Sequence, residues 1–351
     1  MTDLLALTEQ LCAVPSVSGE ERALADVVEA RLREFAGALE IIRVGHNVVA
    51  RTQRGASTRI VLGGHLDTVP ANDNATPRVD GDTLHGLGSA DMKGGLAVLL
   101  VLAEALAHGD ESRDVTLIFY EGEEVADEHN GLRHLFADRP DLVAGDMAVL
   151  LEPTGGWIEA GCQGTIHVRV AFDGARAHSA RPWMGVNAVH RAAPMLARLA
   201  AHEAPTIDVD GLAYRESLQV VRVNAGIANN VVPDRCEIVV NRRYAPVCSH
   251  VDAIADTLAL FADADSAEVI SDSPAAAPNL THPLVAELIA AGNLDVRPKL
   301  GWTDVARFTQ HGIAAVNFGP GDPELAHTAA ERVERADLDH CLRVLSKFVT
   351  A

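Results

Sequence analysis

Three runs in this chain are apolar enough to be buried strands, and each stops abruptly at residues that ionise. They are RIVLGGH, ending at His65; DVTLIFYEGEE, ending at Glu123 and Glu124; and DMAVLLEPT, ending at Glu152 before Pro153. Near-continuous β-branched and aliphatic runs fit strands buried on both faces, as in sheets covered by helices. Such a sheet gathers its strand ends along a carboxyl edge, where α/β proteins build their sites. In the first run, Ile60, Val61 and Leu62 give way to Gly63 and Gly64, then to His65 and Asp67. His65 is either a metal ligand, with Asp67 holding its other ring nitrogen, or a satisfied turn histidine. This stretch alone leaves both readings open.

Helical periodicity covers residues 3–13 and 20–36, the second following Ser18-Gly19-Glu20-Glu21, an N-cap pattern with acids in the first turn. Residues 39–52 and 58–64 have strand character, and Pro70 to Thr83 is a polar loop. LHGLGSADMKGG (84–95) is a Gly-rich turn leading into an apolar helix that ends near His108. Its G-x-G does not read as a nucleotide loop, because no strand directly precedes it and Asp91 would repel phosphate. Strands alternating with helices through residue 155 predict an α/β sheet with helices on both faces.

The texture changes after Gly161 and Gly164. Strand 164–173, helix 186–202, strands 219–227 and 235–245, helix 250–264 and strand 267–271 give the order β-α-β-β-α-β, the ferredoxin-like split motif. It closes at SPAAAP (273–278); helix 283–292, strand 313–318 and helix 334–349 then resume the first style. The expected domains are therefore 1–163 with 277–351, and an inserted 164–276.

At 351 residues with a formal charge of −20, the chain is a poor partner for nucleic acid or an anionic membrane. Cys12, Cys162, Cys236, Cys248 and Cys341 are scattered, with no C-x-x-C pair, and read as reduced thiols of a cytoplasmic protein. The N-terminal MTDLLALTEQ lacks the pattern of a signal peptide, and the apolar run Gly94 to Ala107 is too short to span a bilayer.

Five strand ends or turns thus deliver metal-ligand chemistry: His65, Asp91, the pair Glu123-Glu124, Glu152, and His327 in GPGDPELAHTAAE. Packed together, these carboxylates and imidazoles would repel or stay unsatisfied without cations. Nitrogen and oxygen donors without thiolate suit Zn2+ or Co2+ in a catalytic role. Two histidines and three carboxylates exceed one tetrahedral shell and suit two ions about 3.5–4 Å apart. His46, His108, His129, His134 and His190 have no such partners in sequence and read as surface or core residues.

The motifs GGHLDTVP, GLGSADMKGG, EGEEV, LLEPT and the late GPG…AHTAAE, in this order over nearly the whole chain, resemble the di-zinc aminoacylase, glutamate carboxypeptidase and desuccinylase family of metallopeptidases. The resemblance implies a zinc-peptidase-like catalytic domain, a mixed sheet with helices on both faces, and an inserted ferredoxin-like lid and dimerisation domain. It implies two Zn2+ per subunit, replaceable by Co2+, with Asp91 bridging, His65 and Glu152 on one ion, and Glu124 and His327 on the other. Asp67 would orient His65, and Glu123 would be the general base that takes a proton from the attacking water.

In ARAHSARPWMGVNAVHRAAP (175–194), His178 stands where the family places a histidine that stabilises the oxyanion from a neighbouring subunit. NNVVPDRCEIVVNRRY (229–244) matches the segment that supplies Asn230 and Arg243, or the adjacent Arg242, to a substrate carboxylate. Two divalent ions against three carboxylates leave the shell positive, so an acidic chain can still bind an anionic small molecule.

Segments 175–194 and 229–244 are most similar to the short actinobacterial succinyl-diaminopimelate desuccinylases, and GWTDVARF (301–308) falls where those enzymes place a substrate loop, here with Thr303. The implied reaction is hydrolysis of N-succinyl-LL-2,6-diaminopimelate to succinate and LL-2,6-diaminopimelate, in lysine and cell-wall precursor synthesis, by a homodimer. Leu87 and His85 depart from the residues common before the bridging aspartate, and EEVADEHNGL is longer than the usual turn. Another deacylase of the family, such as an acetylornithine deacetylase or a dipeptidase, is the nearer alternative. A non-catalytic metal-binding protein is the remoter one.

Overall fold

The computed structural model describes residues 2–109 and 112–351. They form two compact units, one of Met1–Ala160, Pro278–Arg297 and Asp304–Ala351, the other of Gly161–Ala277 and Pro298–Thr303. Residues 298–303, expected in the first unit, belong with the second. Gln163 N–H donates to the Lys299 carbonyl at 3.3 Å, and Trp302 Nε1–H to that of Pro274 at 3.0 Å.

Among the described residues, the main sheet of the first unit runs from edge to edge as Glu40–Val44, Asn47–Arg51, Asp114–Tyr120, Arg59–His65, Met147–Leu150, Ala314–Asn317, Ile158–Ala160 and Val296–Pro298. The four strands from Asp114–Tyr120 to Ala314–Asn317 are parallel, whereas Asn47–Arg51 and Ile158–Ala160 join antiparallel, so the sheet is mixed. Every residue of Asp114–Tyr120 is buried, which requires cover on both faces. Helix Gly94–His108, apolar almost all round, packs on Arg59–His65 and lies among helices Leu4–Cys12, Arg22–Arg33 and Arg335–Val349. Helix Val305–Gln310 packs on Ala314–Asn317 and Met147–Leu150.

The structure departs locally from the sequence expectations. Residues 39–52 fold as a hairpin rather than one strand, with Val44 opposite Asn47 and Gly45 turning the chain at φ 62°. The polar loop 70–83 contains Arg78–Asp80, which pairs with Thr83–His85, itself paired with Arg332–Glu334. Ser18 does not cap the following helix. That helix starts at Arg22, and the Ser18 hydroxyl instead donates to Asp67 Oδ2 at 2.8 Å.

In the second unit the strands Gly164–Asp173, Ser217–Ala225, Arg235–Tyr244 and Ser266–Ser273 interleave with helices Ala188–Ala200 and His250–Ala259. The sheet order is Ser217–Ala225, Arg235–Tyr244, Gly164–Asp173, Ser266–Ser273, antiparallel throughout, which is the split β-α-β arrangement twice over. A hairpin, Thr206–Val209 with Leu212–Arg215, interrupts it; its strands are too short for alternation to reveal them in sequence. Helix residues Ala188, Ala192, Met195 and Ala253 cover the sheet face carrying Ile166, Val168, Val170, Ile238 and Val240.

Candidate metal centre

His65 is the last residue of its strand, Glu123 and Glu124 follow the turn after Tyr120, and Glu152 stands two residues beyond Leu150. The three strands are adjacent and parallel, so their carboxyl ends meet at one edge. Gly122 makes the turn possible: its φ is 69°, and a Cβ there would lie 2.3 Å from the carbonyl oxygen of His129. Asp91 comes from the turn Ser89–Lys93 before the central helix, where its backbone is not helical (φ −120°, ψ 93°) and its peptide bond to Met92 is cis. His327, in the loop after Ala314–Asn317, adopts φ 62°, an uncommon conformation for a side-chain-bearing residue.

These side chains form overlapping triads. His65, Asp91 and Glu152 place one donor atom each within 4.8 Å of one another, and so do Asp91, Glu124 and His327. Asp91 belongs to both, with Oδ1 2.9 Å from His65 Nε2 and Oδ2 3.3 Å from His327 Nε2. His327 Nε2 also lies 2.7 Å from Glu124 Oε1. His65, Glu123 and Glu124 form a third such group.

The tautomer of His65 follows from its contacts. Nδ1 sits 3.0 Å from the main-chain carbonyl of Asp67, which can only accept, so Nδ1 carries a hydrogen. The Nε2 lone pair then faces acceptors, the Asp91 carboxylate at 2.9 Å and Glu152 at 4.0 Å. Such a geometry is stable only with a cation between the groups. Burial opposes charge on His65, but the nearby Asp67 carboxylate, the hydrogen bond to Asp91 and the charge of Glu152 raise its pKa well above the usual imidazole value. His327 is raised to about 10 by its hydrogen bonds to Asp91 and Glu124. Burial would lift the Asp91 carboxyl, yet both imidazoles hold it well below the carboxylate range. Two imidazoles, shared carboxylate oxygens and no thiolate are a donor set that divalent ions satisfy.

Asp67 holds His65 through its main-chain carbonyl and serves a further partner with its carboxylate. Its carboxylate lies 3.5 Å from His65 Nδ1, longer than a hydrogen bond, and the main-chain carbonyl holds the ring instead. The carboxylate accepts the backbone N–H of Glu123 on Oδ1 and that of Glu124 on Oδ2, both at 3.0 Å, together with the Ser18 hydroxyl. Burial opposes its ionisation, but His65 and these donors lower its pKa to about 2. Asp67 therefore fixes the turn that carries Glu123. The Glu123 carboxyl, in contrast, is pushed well above the usual range by burial and by the charges of Glu152 and Glu124.

Sequence reasoning also missed the anchorage of this turn. Asp304 is fully buried, and its carboxylate accepts Asn130 Nδ2–H at 2.8 Å and Arg307 Nε–H at 2.9 Å. Arg307 reaches on to Asp127 at 2.8 Å, and Asn130 caps helix Gly131–Asp138. The extra length of EEVADEHNGL is thus pinned at both Asp127 and Asn130. A cavity of about 480 Å³ opens beside Gly122, with His46, His129 and His134 on its wall. The i-to-i+3 spacing of Asp304 and Arg307 was the available signal.

In the second unit, His178 and Asn230 line one depression together with Arg176. Ala180 N–H donates to His178 Nδ1 at 3.0 Å, which leaves the Nε2–H of the exposed neutral ring available to donate. Arg242 is engaged by the Ala253 carbonyl at 3.2 Å and Thr257 Oγ1 at 2.9 Å. Arg243, next along the strand, points to the other face, half-buried and without a hydrogen-bonded side-chain partner among the described residues. Thr303 is buried, its carbonyl 3.8 Å from Cys162 Sγ.

The model of peptidase family M20/M25/M40 matches residues 61–351. The chain belongs to that family. Relatives within it include a Mycobacterium tuberculosis protein provisionally named succinyl-diaminopimelate desuccinylase DapE, 45% identical over 99% of this chain and 98% of its own. The succinyl-diaminopimelate desuccinylase of Corynebacterium glutamicum is 42% identical, covering 99% of this chain and 96% of its own. Among solved structures, the Bacillus subtilis YXEP protein, described as a dinuclear metal-binding peptidase of the M20 family, superposes with a TM-score of 0.73 at 17% identity, covering 99% of this chain and 96% of its own. The expected fold, a large mixed sheet with helices, is the fold of this family.

Proposed function

We propose that this chain is a di-zinc amidohydrolase that cleaves N-succinyl-LL-2,6-diaminopimelate to succinate and LL-2,6-diaminopimelate, serving lysine biosynthesis. The carrying observation is the Asp91 carboxylate set between two imidazole–carboxylate groups, with Glu123 at the same sheet edge. His65, Asp91 and Glu152 would hold one ion, and Asp91, Glu124 and His327 the other. The substrate rests on the names of the Corynebacterium and Mycobacterium relatives.

Bound divalent ions supply Lewis-acid polarisation of the amide carbonyl and lower the pKa of the attacking water. Glu123 accepts that water's proton on its carboxylate and passes it to the leaving nitrogen. Asp67 keeps Glu123 in place through the backbone. By the resemblance, His178 donates its Nε2–H to the oxyanion in the neighbouring subunit's site, and Asn230 and Arg243 bind the substrate carboxylate, Arg243 through its planar guanidinium. Thr303 belongs to the segment given to the substrate by resemblance.

The same reading makes the protein a cytoplasmic homodimer formed through the inserted unit. Supporting it, Ser217–Ala225 is an edge strand with exposed Val221 and Val223, and Ile227, Trp183 and Met184 are exposed in the same unit. Among the described residues none of the five cysteines is in a disulfide, and no helix is long and apolar enough to cross a membrane.

The test compares kcat/KM on N-succinyl-LL-2,6-diaminopimelate and on N-acetylornithine after zinc reconstitution, with Glu123→Ala alongside. A clear preference for the succinyl substrate, and a Glu123→Ala protein that keeps its zinc without turnover, are expected. A preference for acetylornithine would sink the substrate, and normal turnover by Glu123→Ala would sink the base.

A further inference from the structure

The loop that closes the metal centre carries a second acid that the reaction does not use. Glu331 lies four residues after His327 and is almost fully buried. Its Oε1 accepts the backbone N–H of Ala90 and of Asp91, both at 3.1 Å. Its own main-chain carbonyl accepts Gly86 N–H at 3.1 Å. Asn74 Nδ2–H reaches the Thr328 carbonyl at 3.1 Å. The segment 86–91 is therefore stitched to 327–331 at its backbone, within a few residues of the two side chains that must meet across it.

Helix hydrogen bonds do not fix Asp91, whose dihedrals are non-helical inside the Ser89–Lys93 turn. Consecutive amides converging on one acceptor oxygen set both the height and the direction of that backbone. His327 at the other end of the loop then stands 3.3 Å from Asp91 Oδ2. We propose that Glu331 is the positioning residue of the bridging carboxylate: it holds Asp91 in register with His327, so that one carboxylate can serve both metal positions. The inference rests on the two-ion reading of the site. It adds a residue that touches neither ions nor substrate, yet sets the affinity of the pair.

The test measures zinc binding by isothermal titration calorimetry, and amide hydrogen exchange of the metal-free protein, for wild type, Glu331→Ala, Glu331→Asp and Glu331→Gln. Glutamine keeps an oxygen at the same reach and should bind zinc within about fivefold of wild type. Aspartate keeps the charge but withdraws the oxygen. Aspartate and alanine should weaken zinc binding by about 10–100-fold, as loss of a group that orients a ligand does. Exchange at Ala90 and Asp91 should quicken in both. Should Glu331→Ala fail to fold, the contrast between aspartate and glutamine carries the test. Wild-type affinity in Glu331→Asp, or unchanged exchange at Ala90 and Asp91, would overturn the proposal, since a merely structural acid would lower melting temperature alone. A wild-type chain that binds no zinc would overturn the two-ion reading itself, a separate and recognisable failure.

Discussion

Replacing Asp67 with asparagine separates two roles that look alike in sequence. If the carboxylate oriented His65, the change would loosen that imidazole and weaken metal binding. In the structure the His65 ring is held by the Asp67 main-chain carbonyl, which asparagine retains, and the carboxylate instead takes the N–H groups of Glu123 and Glu124. A hydrogen bond to a charged group contributes about 1.5–3 kcal/mol, and a neutral one about 1 kcal/mol. Asparagine offers one oxygen to two amides and turns an NH2 toward the other, so the turn loses about 2–3 kcal/mol of positioning. At about 1.4 kcal/mol per tenfold, kcat should fall by about 30–150-fold. Steady-state kinetics with zinc content measured on the same samples reads both quantities. Zinc occupancy should persist while kcat drops. Unchanged kcat, or a loss confined to metal affinity, would refute the assignment of the Asp67 carboxylate to the Glu123–Glu124 turn.

Asp304→Ala should cost about 2–4 kcal/mol, because it removes the buried acceptor shared by Arg307, which keeps only Asp127, and the Asn130 amide; differential scanning calorimetry of the metal-free protein would show the melting of the first unit lowered by several degrees. Asp114, which accepts Thr52 Oγ1–H and the amides of Arg54, Gly55 and Ala56, tests the pH dependence. Burial raises its pKa, but these bonds and Arg59 win and hold it below the usual value. Its contribution is therefore present above the unfolded carboxylate pKa of about 3.9 and lost as pH falls through the lower folded value. Asp114→Asn should lower the stability read from urea unfolding at pH 7 by about 1–3 kcal/mol, and much less at the acid end. For the substrate, Arg243→Ala should raise KM by about 30-fold or more. Arg242→Ala should leave KM alone and reduce stability by about 1 kcal/mol through loss of its bonds to Ala253 and Thr257.

The strand ends were legible because burial on both faces leaves no room for an ionisable residue inside a strand. His65, Glu123 and Glu152 had to lie at the edge where Asp114–Tyr120, Arg59–His65 and Met147–Leu150 stop. The inserted unit was legible because its strands and helices are long enough to show their periods. Three-residue strands such as Arg78–Asp80 and Thr83–His85 show no period, and their pairing with Arg332–Glu334 depends on residues some 250 positions away in the chain. The partner of Asp67 was hidden for a related reason. His-x-Asp spacing suggests a side chain reaching back to the ring, but the backbone carbonyl does that at 3.0 Å and frees the carboxylate. Asp304 and Glu331 carry no apolar pattern, and their importance comes from what they accept, which composition cannot display.

The central claim is that Asp91 stands between two divalent ions. Crystals of the zinc-reconstituted protein, measured on both sides of the zinc absorption edge, test it directly. Two anomalous peaks are predicted, one beside His65 and Glu152 and one beside Glu124 and His327, each in contact with an oxygen of Asp91. A single peak in the fully reconstituted protein, or a pair of peaks that leaves Asp91 uncoordinated, would contradict it.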